Sequence, residues 1–192
     1  MKRYIPFALT TLRLLLGPVA LLCALVNVAR LVYLPILLAG TLSDIFDGIL
    51  ARRFGVATSM LRRYDSVTDV IYYSFLLAAA WILCRPVIVQ SAMAIGFLVL
   101  SEVAVIAVSL VRFRKYPAVH SYLAKFYGLC MLAALIGLVV FNASSWVVTT
   151  LAVVAIVTNA EIIAIHLLAD APPVDVRSVF ALPKRANGTP EA

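Results

Sequence analysis

Apolar residues in this chain come in long unbroken runs; they do not alternate or recur on one face. About six runs reach the roughly 20 residues that a helix needs to cross a hydrocarbon core. They cover residues 8–28, 31–51, 64–83, 86–111, 121–141 and 146–168. Several are apolar all round, as helices bathed in lipid are. The pattern predicts an all-α polytopic membrane protein with about six transmembrane helices. Residues 1–169 read as one six-helix domain, with no internal repeat. Residues 170–192, broken by Pro172, Pro173, Pro183 and Pro190, read as a disordered cytoplasmic tail. The first run is not expected to be a cleaved signal peptide, because it carries Arg13, lacks a small-residue cleavage site and is followed by further runs.

Composition strengthens that picture. Hydrophobic residues make up 64% of the 192 and charged residues 13%, against roughly 45–50% and 25% in soluble domains. A globule of this size could not bury so much apolar surface. Soluble, disordered, collagen-like and nucleic-acid-binding classes are thereby excluded, despite a net charge of +7. The positive charge has another explanation. Lys2 and Arg3 precede the first run, and Arg52, Arg53, Arg62 and Arg63 join the second to the third. Arg112, Arg114 and Lys115 join the fourth to the fifth, and Arg177, Lys184 and Arg185 follow the sixth. The alternate connections hold only Arg30, Arg85 and the uncharged stretch from Asn142 to Ser145. The positive-inside rule therefore places both termini and the basic loops in the cytoplasm. Cys23, Cys84 and Cys130 form no CxxC or Cys/His cluster, so neither a disulfide framework nor a zinc site is expected.

Acidic residues number only nine, and four of them fall together. Asp44 and Asp47 are spaced i, i+3 near the end of the second run, and Asp65 and Asp69 i, i+4 at the start of the third. Either spacing puts a pair on one helical face. At about 1.5 Å per residue, Asp44 lies roughly 10 Å inside the Ala51 end of its helix, and Asp69 roughly 6 Å deeper than Asp65. Two antiparallel neighbours thus gather four carboxylates at their cytosolic end. Near hydrocarbon such a group needs compensation. Two readings are open: ion pairing with Arg52, Arg53, Arg62 and Arg63, or one or two divalent cations. An oxygen-only ligand set favours Mg²⁺ or Mn²⁺. Asp65 suits a helix N-terminus, whereas Asp44 and Asp47 oppose the dipole at a C-terminus, so helix-end placement accounts for half the set.

Gly48 follows Asp47 directly, Ala51 continues a small-residue face, and Arg52 offers a planar cation suited to phosphate. Helix packing explains the small residues taken alone. Taken with the acids, they suggest a pyrophosphate held at a metal centre.

The stretch Asp44-Ile45-Phe46-Asp47-Gly48-Ile49-Leu50-Ala51-Arg52, followed by Asp65-Ser66-Val67-Thr68-Asp69, resembles the motif of the CDP-alcohol phosphotransferase family, DxxDGxxAR and then GxxxDxxxD. Leu61 stands where the second glycine is expected, which marks a divergent member. Ile5-Pro6, Leu9-Thr10, Arg13 and Pro18 are similar to the family's first-helix opening, with Phe7 in place of a common asparagine. The likeness covers nearly the whole chain.

The resemblance implies transfer of a substituted phosphate, usually phosphatidyl, from a CDP-linked lipid such as CDP-diacylglycerol to an acceptor alcohol, with release of CMP. It also implies a two-ion Mg²⁺ or Mn²⁺ centre, with Asp44, Asp47, Asp65 and Asp69 as ligands and Asp69 as general base. Gly48, Ala51 and Arg52 would line the CDP site. A homodimer is expected, integral to the bilayer of the bacterial inner membrane, with its active site facing the cytoplasm. Arg112 and Lys125 are candidates for gripping a phosphorylated acceptor. Glu102 and Glu161, inside the fourth and sixth runs, are candidates to pair with Arg13 or to join helices. Rival readings are a membrane prenyltransferase, a transporter lined by acids, and an inactive relative.

Overall fold

The structure, a computed structural model, describes residues 4–56, 58–117, 119, 121–173, 176 and 178–181, with the side chains of Ser59, Arg62, Arg63 and Ser66 outside that description. Among the described residues it is all helical, and six helices are long and apolar enough to cross a bilayer. They form two compact units.

The first unit holds Met1–Ser91 and Leu132–Val148. Its helices are α1 (Ile5–Leu25), α2 (Tyr33–Arg53) and α3 (Ser59–Gln90), with a π-helical turn at Ile136–Val140. Pro6 at the start of α1 gives up no hydrogen bond, because the first amides of a helix have no internal partner. The buried residues of α1 are Pro6, Thr10, Arg13, Gly17, Ala20 and Ala24, which advance by four and three in alternation and so share one face. That face packs against both α2 and α3.

Small residues let the backbones approach, as membrane helices require when lipid competes for apolar contact. A methyl on Gly17 would meet the Tyr72 backbone at 3.3 Å, and one on Gly40 would lie 2.1 Å from the Tyr72 hydroxyl. Tyr72 fills the gap over Gly40 and donates to the Ile36 carbonyl at 3.4 Å. Ala20, Ala24, Tyr33, Leu37, Leu76, Ala79 and Val139 complete the apolar core beside it.

Two local features set the ends that matter. α2 ends at Arg53, and Gly55 just beyond it has a φ of +66°, which suits a residue without Cβ. Gly55 N–H donates to the Arg52 carbonyl at 3.2 Å and Val56 N–H to that of Ala51 at 3.0 Å, the paired bonds of a Schellman cap. α3 starts at Thr58, whose hydroxyl accepts from Leu61 N–H at 3.2 Å. Leu61 therefore sits in the first turn of α3, not in the linker before it.

A second expectation changes at Pro86. The apolar pattern starts a fourth span there, yet α3 runs on to Gln90 and bends at Cys84 (φ −134°, ψ 25°). The kink leaves Pro86 near the start of a new helical segment, where its missing N–H costs little. The turn comes instead at Ser91.

The second unit holds Ala92–Met131 and Thr149–Ala192. It contains α4 (Ala92–Phe113), most of α5 (Tyr122–Leu135) and of α6 (Trp146–Leu168), and a short turn at Val179–Ala181. Polar contacts tie it together. Asn159 donates to the Ser101 hydroxyl at 2.9 Å. Ser121 accepts from Ala124 N–H at the start of α5 and donates to Glu161 at 2.8 Å. The other Glu161 oxygen accepts from Val179 N–H at 3.4 Å, so residues 179–181 of the expected disordered tail form a placed turn. Residues 182–192, which include Lys184 and Arg185, lie outside the described residues, as do Lys2, Arg3, His120 and Arg177.

Candidate active site

Three helices of the first unit bring their polar ends together. α2 contributes Asp44 and Asp47, α3 contributes Asp65 and Asp69, and α1 contributes Arg13. The paired spacings along α2 and α3 place each pair toward the other helix. One carboxylate oxygen from each of Asp44, Asp47 and Asp65 falls within 4.8 Å of the others. Asp69 joins the group through Arg13, at 2.5 Å from Nη1.

Arg13 is the residue that sequence reading misplaced. Its guanidinium pairs with all four aspartates: with Asp44, Asp65 and Asp69, and with Asp47 Oδ2 at 3.2 Å. Neither Glu102 nor Glu161 is among its ion-pair partners, and Glu161 is engaged by Ser121 and Val179. Among the described residues, the cation that compensates the cluster is this one from α1; neither Arg52 nor Arg53 forms an ion pair with it. The planar fork suits the job, since it can meet several carboxylates at once.

The signal for Arg13 was in the chain. It lies four residues before Gly17 and three after Thr10, on the face that α1 must bury. A charge on a packing face at membrane depth calls for a partner.

Burial grades the cluster. The Arg13 side chain is 2% exposed and that of Asp47 7%, whereas Asp44 is 46% and Asp65 and Asp69 are each 34% exposed. Arg13 and Asp47 form a floor, and the other three carboxylates open outward. Thr10 supports the floor: its hydroxyl lies 2.9 Å from Asp47 Oδ2 and 3.0 Å from the Pro6 carbonyl, and shares one proton between them. Phe7 stacks on Tyr64 at 4.7 Å, and the Thr11 and Tyr64 hydroxyls meet at 3.1 Å, which clasps the start of α1 to α3.

Several polar atoms here lack partners. Asp69 Oδ1 is buried and, though close to Arg13, is not aligned for a hydrogen bond; Thr68 Oγ1 and Arg13 Nε are also buried without one. Four carboxylates against one guanidinium leave a surplus of acidic groups over cations. An all-oxygen donor set with surplus charge and free lone pairs fits a hard divalent cation. The residues present therefore suit Mg²⁺ or Mn²⁺.

Gly48 borders this group on α2. Among the described residues, a methyl there would touch nothing but the Arg52 guanidinium, at 3.7 and 3.9 Å. Helix packing is thus not what requires the glycine, and the space beside it is open to a ligand. Ala51 is buried in the unit, and Arg52 is exposed at the last turn. Arg112 and Lys125 belong to the second unit. Arg112 donates to the Ala169 carbonyl at 3.0 Å, closing the end of α6, and Lys125 stands over the Tyr122 ring at 5.8 Å.

The family model described as CDP-alcohol phosphatidyltransferase matches residues 3–164 of the 192. The chain belongs to that family. No curated protein and no solved structure gives a significant match. Membership makes it an integral membrane protein of a transferase family that acts on a CDP-alcohol and an acceptor alcohol, generally with a metal. The four aspartates, Gly48, Ala51 and Arg52 all lie within the matched stretch.

Proposed function

We propose that this protein transfers a phosphatidyl group from a CDP-linked lipid such as CDP-diacylglycerol to an acceptor alcohol and releases CMP. The observation that supports it most is the convergence of α2 and α3 carboxylates beside an open glycine and an exposed arginine. By the loop-charge argument, that end of the molecule faces the cytoplasm, where nucleotide-linked donors and water-soluble acceptors are both accessible.

The roles follow from placement. Asp44, Asp47 and Asp65 would hold Mg²⁺ or Mn²⁺, with Asp69 able to join them. The metal when bound neutralises the donor's diphosphate and the charge that develops on departing CMP. The gap over Gly48 admits the diphosphate, and Arg52 gives it a planar cation at the rim. Asp69 lies one turn beyond Asp65 and serves as general base. It takes the proton of the acceptor hydroxyl as that oxygen bonds to phosphorus and the bond to the CMP oxygen breaks. Ala51 keeps α2 slender and helps to hold the Arg52 turn in place.

The test is direct. Purified protein in detergent or nanodiscs is given CDP-diacylglycerol and a panel of alcohols, with Mg²⁺, Mn²⁺ or EDTA. The expected result is metal-dependent CMP release with one acceptor and a new phosphodiester lipid. Pyrophosphate as product, or CMP release indifferent to every acceptor and to chelation, would overturn the reading.

A further inference from the structure

We propose that Arg13 is a resident counter-cation that competes with the divalent metal for the same four carboxylates. It keeps the acidic centre assembled when no metal is bound and, for that reason, holds the metal's affinity down. The inference rests on the metal-centre reading above.

Three observations carry it. The guanidinium is sealed in the unit, 2% exposed, and pairs with every aspartate of the centre. No other described cation pairs with them. The groups around Arg13 are tied to the same floor: Thr10 donates to Asp47, and α1 packs on both acid-bearing helices. An acidic group of this size, brought together by two helices that both pack on α1, would repel itself apart or bind protons if nothing positive stood within it. Arg13 supplies that charge from within the chain, so the fold does not depend on metal.

The same contacts set the cost. Each carboxylate that donates electron density to the guanidinium is a poorer ligand, and a dication entering the cluster meets a fixed positive charge beside it. Stability without metal and affinity for metal are then linked: whatever Arg13 contributes to the metal-free centre beyond what it contributes to the loaded one is subtracted from metal binding. A loosely held dication also fits the exposure pattern, in which Asp44, Asp65 and Asp69 open outward while Arg13 lies beneath. The donor's diphosphate, itself anionic, would offset the guanidinium and tighten the metal when it arrives.

The test compares wild type, Arg13→Gln and Arg13→Lys by Mn²⁺ binding (electron paramagnetic resonance of free Mn²⁺) and by thermal unfolding in EDTA and in excess Mn²⁺, with no nucleotide or lipid substrate. Arg13→Gln is expected to bind Mn²⁺ about tenfold more tightly or better, within the usual range of coupled sites. It is also expected to unfold at lower temperature than wild type in EDTA, with that gap closing in Mn²⁺. Arg13→Lys keeps a charge but loses the fork, so it should fall between the two. If Arg13→Gln does not fold even with Mn²⁺, Arg13→Lys decides: binding no tighter than wild type overturns the proposal. Equal or weaker Mn²⁺ binding by folded Arg13→Gln overturns it too, and leaves the metal centre standing. Absence of Mn²⁺ binding in all three proteins overturns both.

Discussion

Two arginines of the first unit sit among opposite kinds of partner. Arg13 is surrounded by four carboxylates at one end of α2 and α3. Arg30, at the other end of α2, is held by uncharged acceptors: it donates to the Leu83 carbonyl at 2.8 Å, the Val139 carbonyl at 3.2 Å and the Cys84 sulfur at 3.4 Å. Those acceptors come from the bend at Cys84 and from the π-helical turn, where regular helical bonding is interrupted. Cys84 in turn donates to the Leu138 carbonyl at 3.2 Å.

The contrast separates structure from chemistry. Carbonyl dipoles around Arg30 are satisfied by one cation, and nothing there calls for a further ligand. The carboxylates around Arg13 outnumber it, so charge is left over to bind something else. A polar cluster in a membrane protein becomes a site when its charges do not cancel.

The sharpest way to break that contrast is Asp69→Asn. Loss of a general base is expected to lower acceptor-dependent CMP release by about 10²–10⁴-fold, while CDP-lipid binding holds. Undiminished turnover would remove Asp69 from the chemistry. Arg30→Gln is the mirror experiment. Leaving the carbonyls of the bend unpaired should cost about 1–3 kcal/mol, read by chemical unfolding in detergent, with turnover per folded molecule unchanged. A loss of turnover without a loss of stability would erase the distinction between the two ends.

Gly40→Ala probes the packing between the ends. Its methyl would lie 2.1 Å from the Tyr72 hydroxyl, so Tyr72 must move. Overpacking of this kind costs about 1–3 kcal/mol, and Mn²⁺ affinity should follow only as far as the helices shift. Gly48→Ala has the smallest effect on folding, within about 0.5 kcal/mol, because the space is open. Its consequence should be a higher KM for the CDP-lipid. An unchanged KM would move the donor away from Gly48.

Much of this was legible in order along the chain. The six helices follow from the bilayer, since only runs near 20 apolar residues can cross it with their backbone groups satisfied. The pairs Asp44/Asp47 and Asp65/Asp69 follow from helical periodicity. Hydropathy misplaced the third turn, because it registers Pro86 and is blind to a bend two residues earlier that accommodates it. It also set Leu61 in a linker, because the cap at Thr58 is a matter of one hydroxyl and not of apolar pattern.

What the sequence determined by itself is the local part: helices, their polar ends, and acids spaced to share a face. Those depend on residues within a turn or two of one another. Only the tertiary structure decided that Arg13 serves the aspartates and that Glu161 serves Ser121, because these partners are 31 and 40 residues or more apart. A charge on a helix face can demand a partner from its own sequence. Which partner answers is fixed by how the helices pack.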